Sequence, residues 1–190
     1  PENFRTRKVI FMMKKLFFSI LFAAMLVAKT PQSATEIMAK EVRHELVMLP
    51  YYNVFDNLAY RVDGARVTLF GQVTRPSLKS DAESAVRRIE GVAGVDSYIE
   101  VLRLSPDDDR IRTAVYRAIY LRGPLQRFRL NAVLPIHIIV RNGNITLEGI
   151  VANEGDKHLA GIVANGVSGA FTLKNNLEVE KGQPDTSVEK

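Results

Sequence analysis

The 190-residue sequence holds three histidines and no cysteine, so few side chains are available for chemistry. His44-Glu45 begins like the two-histidine helix of a zinc protease. The position four residues beyond His44 is Met48, however, and the second ligand is missing. His137 sits in the apolar run Ile136-His-Ile-Ile-Val140, where a packed histidine is expected, and His158 stands alone on a helix. Asp107-Asp108-Asp109 could suggest a cation site. Directly behind Ser105-Pro106 they read better as helix-start acids facing unpaired backbone N–H groups. Gly161, Gly166 and Gly169 lack the Gly-Lys-Ser/Thr of a phosphate loop. No convergent catalytic set emerges, and no enzyme activity, cofactor or metal is expected.

One segment is chemically distinctive. From Arg110 to Leu147 there are seven arginines and no acid. On a helix starting near Pro106, steps of about 100° per residue group Ile111, Val115, Ala118, Ile119 and Arg122 on one side. Arg110, Arg112, Tyr116, Arg117 and Tyr120 then take the opposite, exposed side. Guanidinium groups pair with phosphate through two donors, and tyrosine seats its ring at an interface with its hydroxyl in water. The stretch Gly123 to Pro135 adds Leu125, Phe128 and Leu130 among basic residues, a wedge suited to lipid headgroups. The candidate lipid- or partner-binding residues are therefore Arg112, Tyr116, Arg117, Tyr120, Arg127, Phe128 and Arg129. A second use fits as well: the tyrosines pack on the first half of the chain and the arginines meet its acids or a partner protein. Tyr51, Tyr52 and Phe55 in the first half suit either use.

The elements behind these residues come from composition and repetition. An apolar fraction of 46% with 25% charged residues supports a packed core of one ordinary or two small domains. The absence of cysteine removes disulfides, thiol nucleophiles, cysteine-held metals and lipid attachment through cysteine, so a lipoprotein is not expected. From Met12 or Met13, Lys14-Lys15 precede a 13-residue run, Leu16 to Ala28, broken only by Ser19. That is short for a spanning helix and suits an export signal, giving a leader over 1–34 and a periplasmic destination. Residues 1–28 carry five of the basic groups and one acid, leaving 21 basic and 20 acidic groups. The nucleic-acid reading invited by the overall +5 dissolves with them.

The rest is a duplication. Val67-Thr-Leu-Phe-Gly-Gln-Val73 matches Ile145-Thr-Leu-Glu-Gly-Ile-Val151 at an offset of 78. In that register Gly71 falls on Gly149 and Gly91 on Gly169, structural repeat glycines that fit tight backbone approach or turns. Each copy reads as helix, two strands about an Asp63-Gly64 or Asn142-Gly143 turn, helix and strand. Thr35 is placed to cap the first helix, and Ser105-Pro106 the corresponding one. The second helices are expected at Ser77 to Ile89 and Asn153 to Val167, and the last strands at Val95 to Leu102 and Thr172 to Val179. The expected fold is α+β: two tandem α-β-β-α-β units over 35–104 and 105–180, each a small mixed sheet with two helices on one face. A flexible tail follows over 181–190.

Val67-Thr-Leu-Phe-Gly71-Gln-Val73 with Gly91-Val92-Ala-Gly-Val95, and their second-copy counterparts with Gly169-Ala170-Phe-Thr-Leu173, resemble the BON domain of exported bacterial osmotic-response and nodulation-type proteins. The second copy departs at Ala170, where the family usually has valine. Asn175 stands near a position where the family often has asparagine, and the first copy has Ser97 there. The resemblance implies an envelope protein that binds phospholipid surfaces or envelope components without known catalysis. Together these readings describe a non-enzymatic, stress-response envelope module. Its preferred ligand is an anionic phospholipid membrane surface, and the alternative is a protein-interaction or scaffold role. No nucleic-acid partner is expected.

Overall fold

The structure, a computed structural model, describes residues 31–180. The expected leader (apart from its last four residues) and the tail lie outside them. The element order is α1 (Pro31–Val47), β1 (Asn57–Asp63), β2 (Arg66–Val73), α2 (Pro76–Arg87) and β3 (Gly94–Val101). The second copy follows with α3 (Pro106–Tyr116), a π-helical turn (Arg117–Arg122) and a 3-10 turn (Gln126–Leu130). It closes with β4 (Ile136–Arg141), β5 (Asn144–Val151), α4 (Glu154–Asn165), β6 (Thr172–Asn175) and β7 (Glu178–Val179). This is an α+β chain of two tandem units.

Each sheet has the same logic. In the first, β2 lies between β1, antiparallel, and β3, parallel. In the second, β5 takes that place between β4 and β6, with β7 also parallel to β5. Alternation sends Val67, Leu69, Val73 and Ile99 inward onto Val42, Leu46, Leu78 and Val86 of the two helices. The second core repeats this with Ile136, Ile138, Val140, Ile145 and Leu147 against Ile111, Val115, Ile119, Ala160 and Ala164. Among the described residues, the other face of each sheet carries no helix of its own unit.

The repeat glycines sit at equivalent strained points. Gly71 has φ 116° and Gly149 φ 122°, and a Cβ there would lie 1.9 Å from the Asn57 carbonyl oxygen and 2.1 Å from that of Pro135. Only glycine lets the central strand come so close to its neighbour. Gly91 and Gly169 share φ values of 87° and 92°.

Several local expectations shift. Thr35, expected to cap the first helix, lies inside α1 rather than ahead of it. The first hairpin turns on Gly64-Ala65, not Asp63-Gly64, because Asp63 pairs with Arg66 inside the ladder. Gly64 at φ 59° leads that turn, whereas Asn142 and Gly143 both have positive φ, so the two copies use different two-residue turns. The single last strand expected in the second copy is broken: Leu177 turns inward, 1% exposed, and its N–H donates to Oδ1 of Asn175. Nδ2 of Asn175 also donates to the Lys157 carbonyl at 2.8 Å, tying β6 to α4 over Gly161. Ser97, its first-copy counterpart, is too short for this, and its buried hydroxyl has no partner among the described residues.

Candidate functional site

The arginine-rich helix α3 is anchored at its start. Ser105 accepts the Asp108 N–H through its hydroxyl. Buried Asp108 accepts the N–H groups of Asn142 and Gly143, at 2.9 and 2.8 Å, fastening the β4–β5 turn to the helix. Asp107 pairs with Arg110 at 2.9 Å and Asp109 with Arg112.

The expected exposed face does not exist as drawn. Arg112 is 3% exposed and Tyr120 fully buried. Their heads cover the free edge of β4. The Tyr120 hydroxyl accepts the Ile136 N–H at 2.9 Å and donates to the Ile136 carbonyl at 2.7 Å. Nη2 of Arg112 donates to the Val140 carbonyl at 2.6 Å. Between them the Ile138 N–H donates to the Val54 carbonyl of the first unit at 2.8 Å. An edge strand leaves alternate backbone groups unpaired, and burying them requires partners. Two features misplace the expected face. Arg112 flanks the apolar stripe, one turn after Asp108, rather than opposing it. Beyond Tyr116 the chain winds as a π-helix, so regular α-helical steps no longer say where Tyr120 points.

Two of the three wedge residues, Leu125 and Phe128, are also interior. Leu125 and Phe128 belong to the second core, and Arg127 pairs with buried Asp156 and lies 4.7 Å over the Phe128 ring. Tyr116 is half-buried, edge-on to Phe55 of the first unit at 6.1 Å. Arg117 and Arg129 remain exposed, as does Arg122. None of the three has an acid partner among the described residues, whereas Arg110, Arg112, Arg127 and Arg141 pair with acids from outside the 110–147 window. Arg117 and Arg122 flank a shallow groove of about 450 Å³ floored by Ala114, Ala118, Gly123 and Val163. A Cβ on Gly123 would lie 2.2 Å from the Ala118 carbonyl oxygen, so the groove wall depends on that glycine. Leu130, 84% exposed, and Leu121 add apolar surface in the same segment.

The junction between the units was only partly legible in the sequence. Tyr52 lies 5.6 Å from the His137 ring, and Tyr52, Phe55, Tyr116, Val133 and Leu134 line an apolar cleft of about 610 Å³ with His137. Burial lowers the His137 pKa from its ordinary value, opposed by backbone carbonyls and the charge of Asp56, while burial pushes Tyr52 up to about 12. Across the open side, Arg141 pairs with Glu100 at 3.0 Å. Among the described residues no group of three or more His, Asp or Glu could hold a metal ion, and no helix is long and apolar enough to cross a membrane.

Two tandem copies of an α-β-β-α-β unit, the second carrying surface arginines beside a shallow groove, define a tandem-repeat α+β protein. The BON domain profile matches residues 35–103 and again 107–181, and the chain belongs to the BON domain family. The family is generally non-catalytic and points to a membrane- or envelope-associated module. Comparison with curated proteins gives no match. Among solved structures the chain is similar to CdsD, a structural protein of the type III secretion system of Chlamydia trachomatis. Identity is 12% and the TM-score 0.30, over 75% of this chain and 92% of that one. The CdsD C-terminal domain gives 12% and 0.26, over 74% and 96%. Likeness this loose carries no argument about function.

Proposed function

We propose that the protein is an exported, non-enzymatic envelope module that binds anionic phospholipid surfaces through Arg117, Arg122 and Arg129. The observation that carries this is the three exposed guanidinium groups of the 110–147 segment without acid partners among the described residues, two of them flanking an apolar-floored groove. The face is smaller than the one expected from the helical wheel, since Arg112, Tyr120 and Phe128 are buried and Arg127 is paired with Asp156. A basic group near an anionic surface contributes about 1 kcal/mol, so three supply roughly 3 kcal/mol, on the order of 100-fold in partitioning. That attraction should weaken with salt.

Co-sedimentation of the mature chain with anionic and with neutral vesicles tests it. The expected result is a preference for anionic vesicles, lost at high salt and in the Arg117→Ala/Arg122→Ala/Arg129→Ala variant. Equal binding to neutral vesicles, or full retention by the triple variant, overturns the assignment and leaves an acidic partner protein as the ligand of this face.

A further inference from the structure

The helix-free faces of the two sheets meet where Arg141 bridges to Glu100, and a polar cleft of about 310 Å³ opens there. Its wall includes Gln72, Glu100, Asn144, Glu148, Lys174 and Asn176. The side chains are pre-positioned. Nδ2 of Asn176 donates to Oε1 of Glu148 at 2.7 Å, and Asn144 accepts the Thr172 hydroxyl at 2.7 Å while donating to the carbonyls of Arg141 and Asn142. Two acids and two bases, one pair already joined, leave the cleft without excess charge. That balance does not suit a phosphodiester or an anionic headgroup. It suits a ligand dense in hydroxyl and amide groups, each of which both donates and accepts.

An aromatic platform adjoins the cleft. The β2–β3 register sets Phe70 beside Tyr98 and Gln72 beside Glu100, so the platform and the cleft wall are two residues apart on one face, about 7 Å. The two rings lie nearly parallel, 15° apart with centroids at 5.9 Å, and Arg61 on β1 covers Phe70. The free aromatic surface is that of Tyr98, 70% exposed on the strand beyond. The face of an aromatic ring is electron-rich and receives the polarised C–H groups of a pyranose, whose hydroxyls need hydrogen-bonding side chains at its rim.

We propose that this junction is a binding site for a neutral oligosaccharide, one sugar ring stacked on Tyr98 and the next held by the amides and carboxylates of the cleft. The site needs both repeats, and it shares no residue with the arginine groove.

The test titrates the full chain with N-acetylchitotetraose and with maltotetraose, followed by amide chemical shifts. At least one sugar should bind saturably at millimolar or lower concentration, with shifts on β2, β3 and β5. Tyr98→Ala should weaken that binding by about fivefold or more, the scale of one aromatic contact. Glu148→Gln should weaken it as well, and Arg117→Ala should leave it unchanged. No saturable shift with either sugar, or parent-like affinity in Tyr98→Ala or Glu148→Gln, overturns the proposal.

Discussion

Tyr120→Phe separates a surface tyrosine from one that holds the fold together. The ring stays, so no cavity forms, and only the hydroxyl leaves. That hydroxyl accepts the Ile136 N–H and donates to the Ile136 carbonyl, at 2.9 and 2.7 Å, in a side chain with no exposure. Removing it strands two buried backbone groups, each costing about 1–3 kcal/mol. Phenylalanine recovers about 1 kcal/mol because no hydroxyl must be dehydrated, leaving a net loss of roughly 1–5 kcal/mol, with about 2–3 kcal/mol as the central expectation. With a urea dependence near 2 kcal/mol/M for a chain of this size, the midpoint should fall by about 1–1.5 M with the slope unchanged. Tyr116→Phe is the control, since no hydrogen bond to that hydroxyl is formed within the described residues, and it should stay within about 0.3 M of the parent. Vesicle binding in native buffer should not change in Tyr120→Phe. A midpoint as high as that of Tyr116→Phe, or a loss of vesicle binding without a loss of stability, would refute the edge-capping role.

Gly149→Ala places a Cβ against the Pro135 carbonyl at a positive φ and should cost about 3 kcal/mol, read as a lowered thermal midpoint. Arg141→Ala breaks a bridge whose side chains are 64% and 44% exposed, so less than about 1 kcal/mol should be lost in the same scan. Because the folded site resists protonating His137, the unfolded chain takes up a proton first as pH falls below about 6.5, and stability should decline there. Urea midpoints against pH should show that decline in the parent and a flatter profile in His137→Phe. At the alkaline end Tyr52 and Tyr120, both raised by burial, favour the folded state up to about pH 10. Stability should fall above that pH, and an absorbance titration should find two of the six tyrosines ionising late.

The duplication, the α+β class and the order of elements were legible because they rest on local spacing. Alternation at Val67/Leu69 and Ile145/Leu147 and the turn residues between strands act over a few positions. The glycines at 71 and 149 were legible as a repeated pair. Their cause, a carbonyl on the neighbouring strand, was not.

The arginine segment marks the boundary. Counting acids within 110–147 describes a charge that space does not contain, since Asp107, Asp109, Asp156 and Glu100 fold onto four of its seven cations. A helical wheel assumes one pitch throughout, and the π-turn at Arg117–Arg122 changes it. The amino-acid sequence by itself determined which units form and that they form twice. Only the tertiary structure decided that Arg112 and Tyr120 close a sheet edge while Arg117, Arg122 and Arg129 stay in solvent. The reason is that unpaired backbone groups of β4, remote in sequence from both side chains, had to be satisfied once buried.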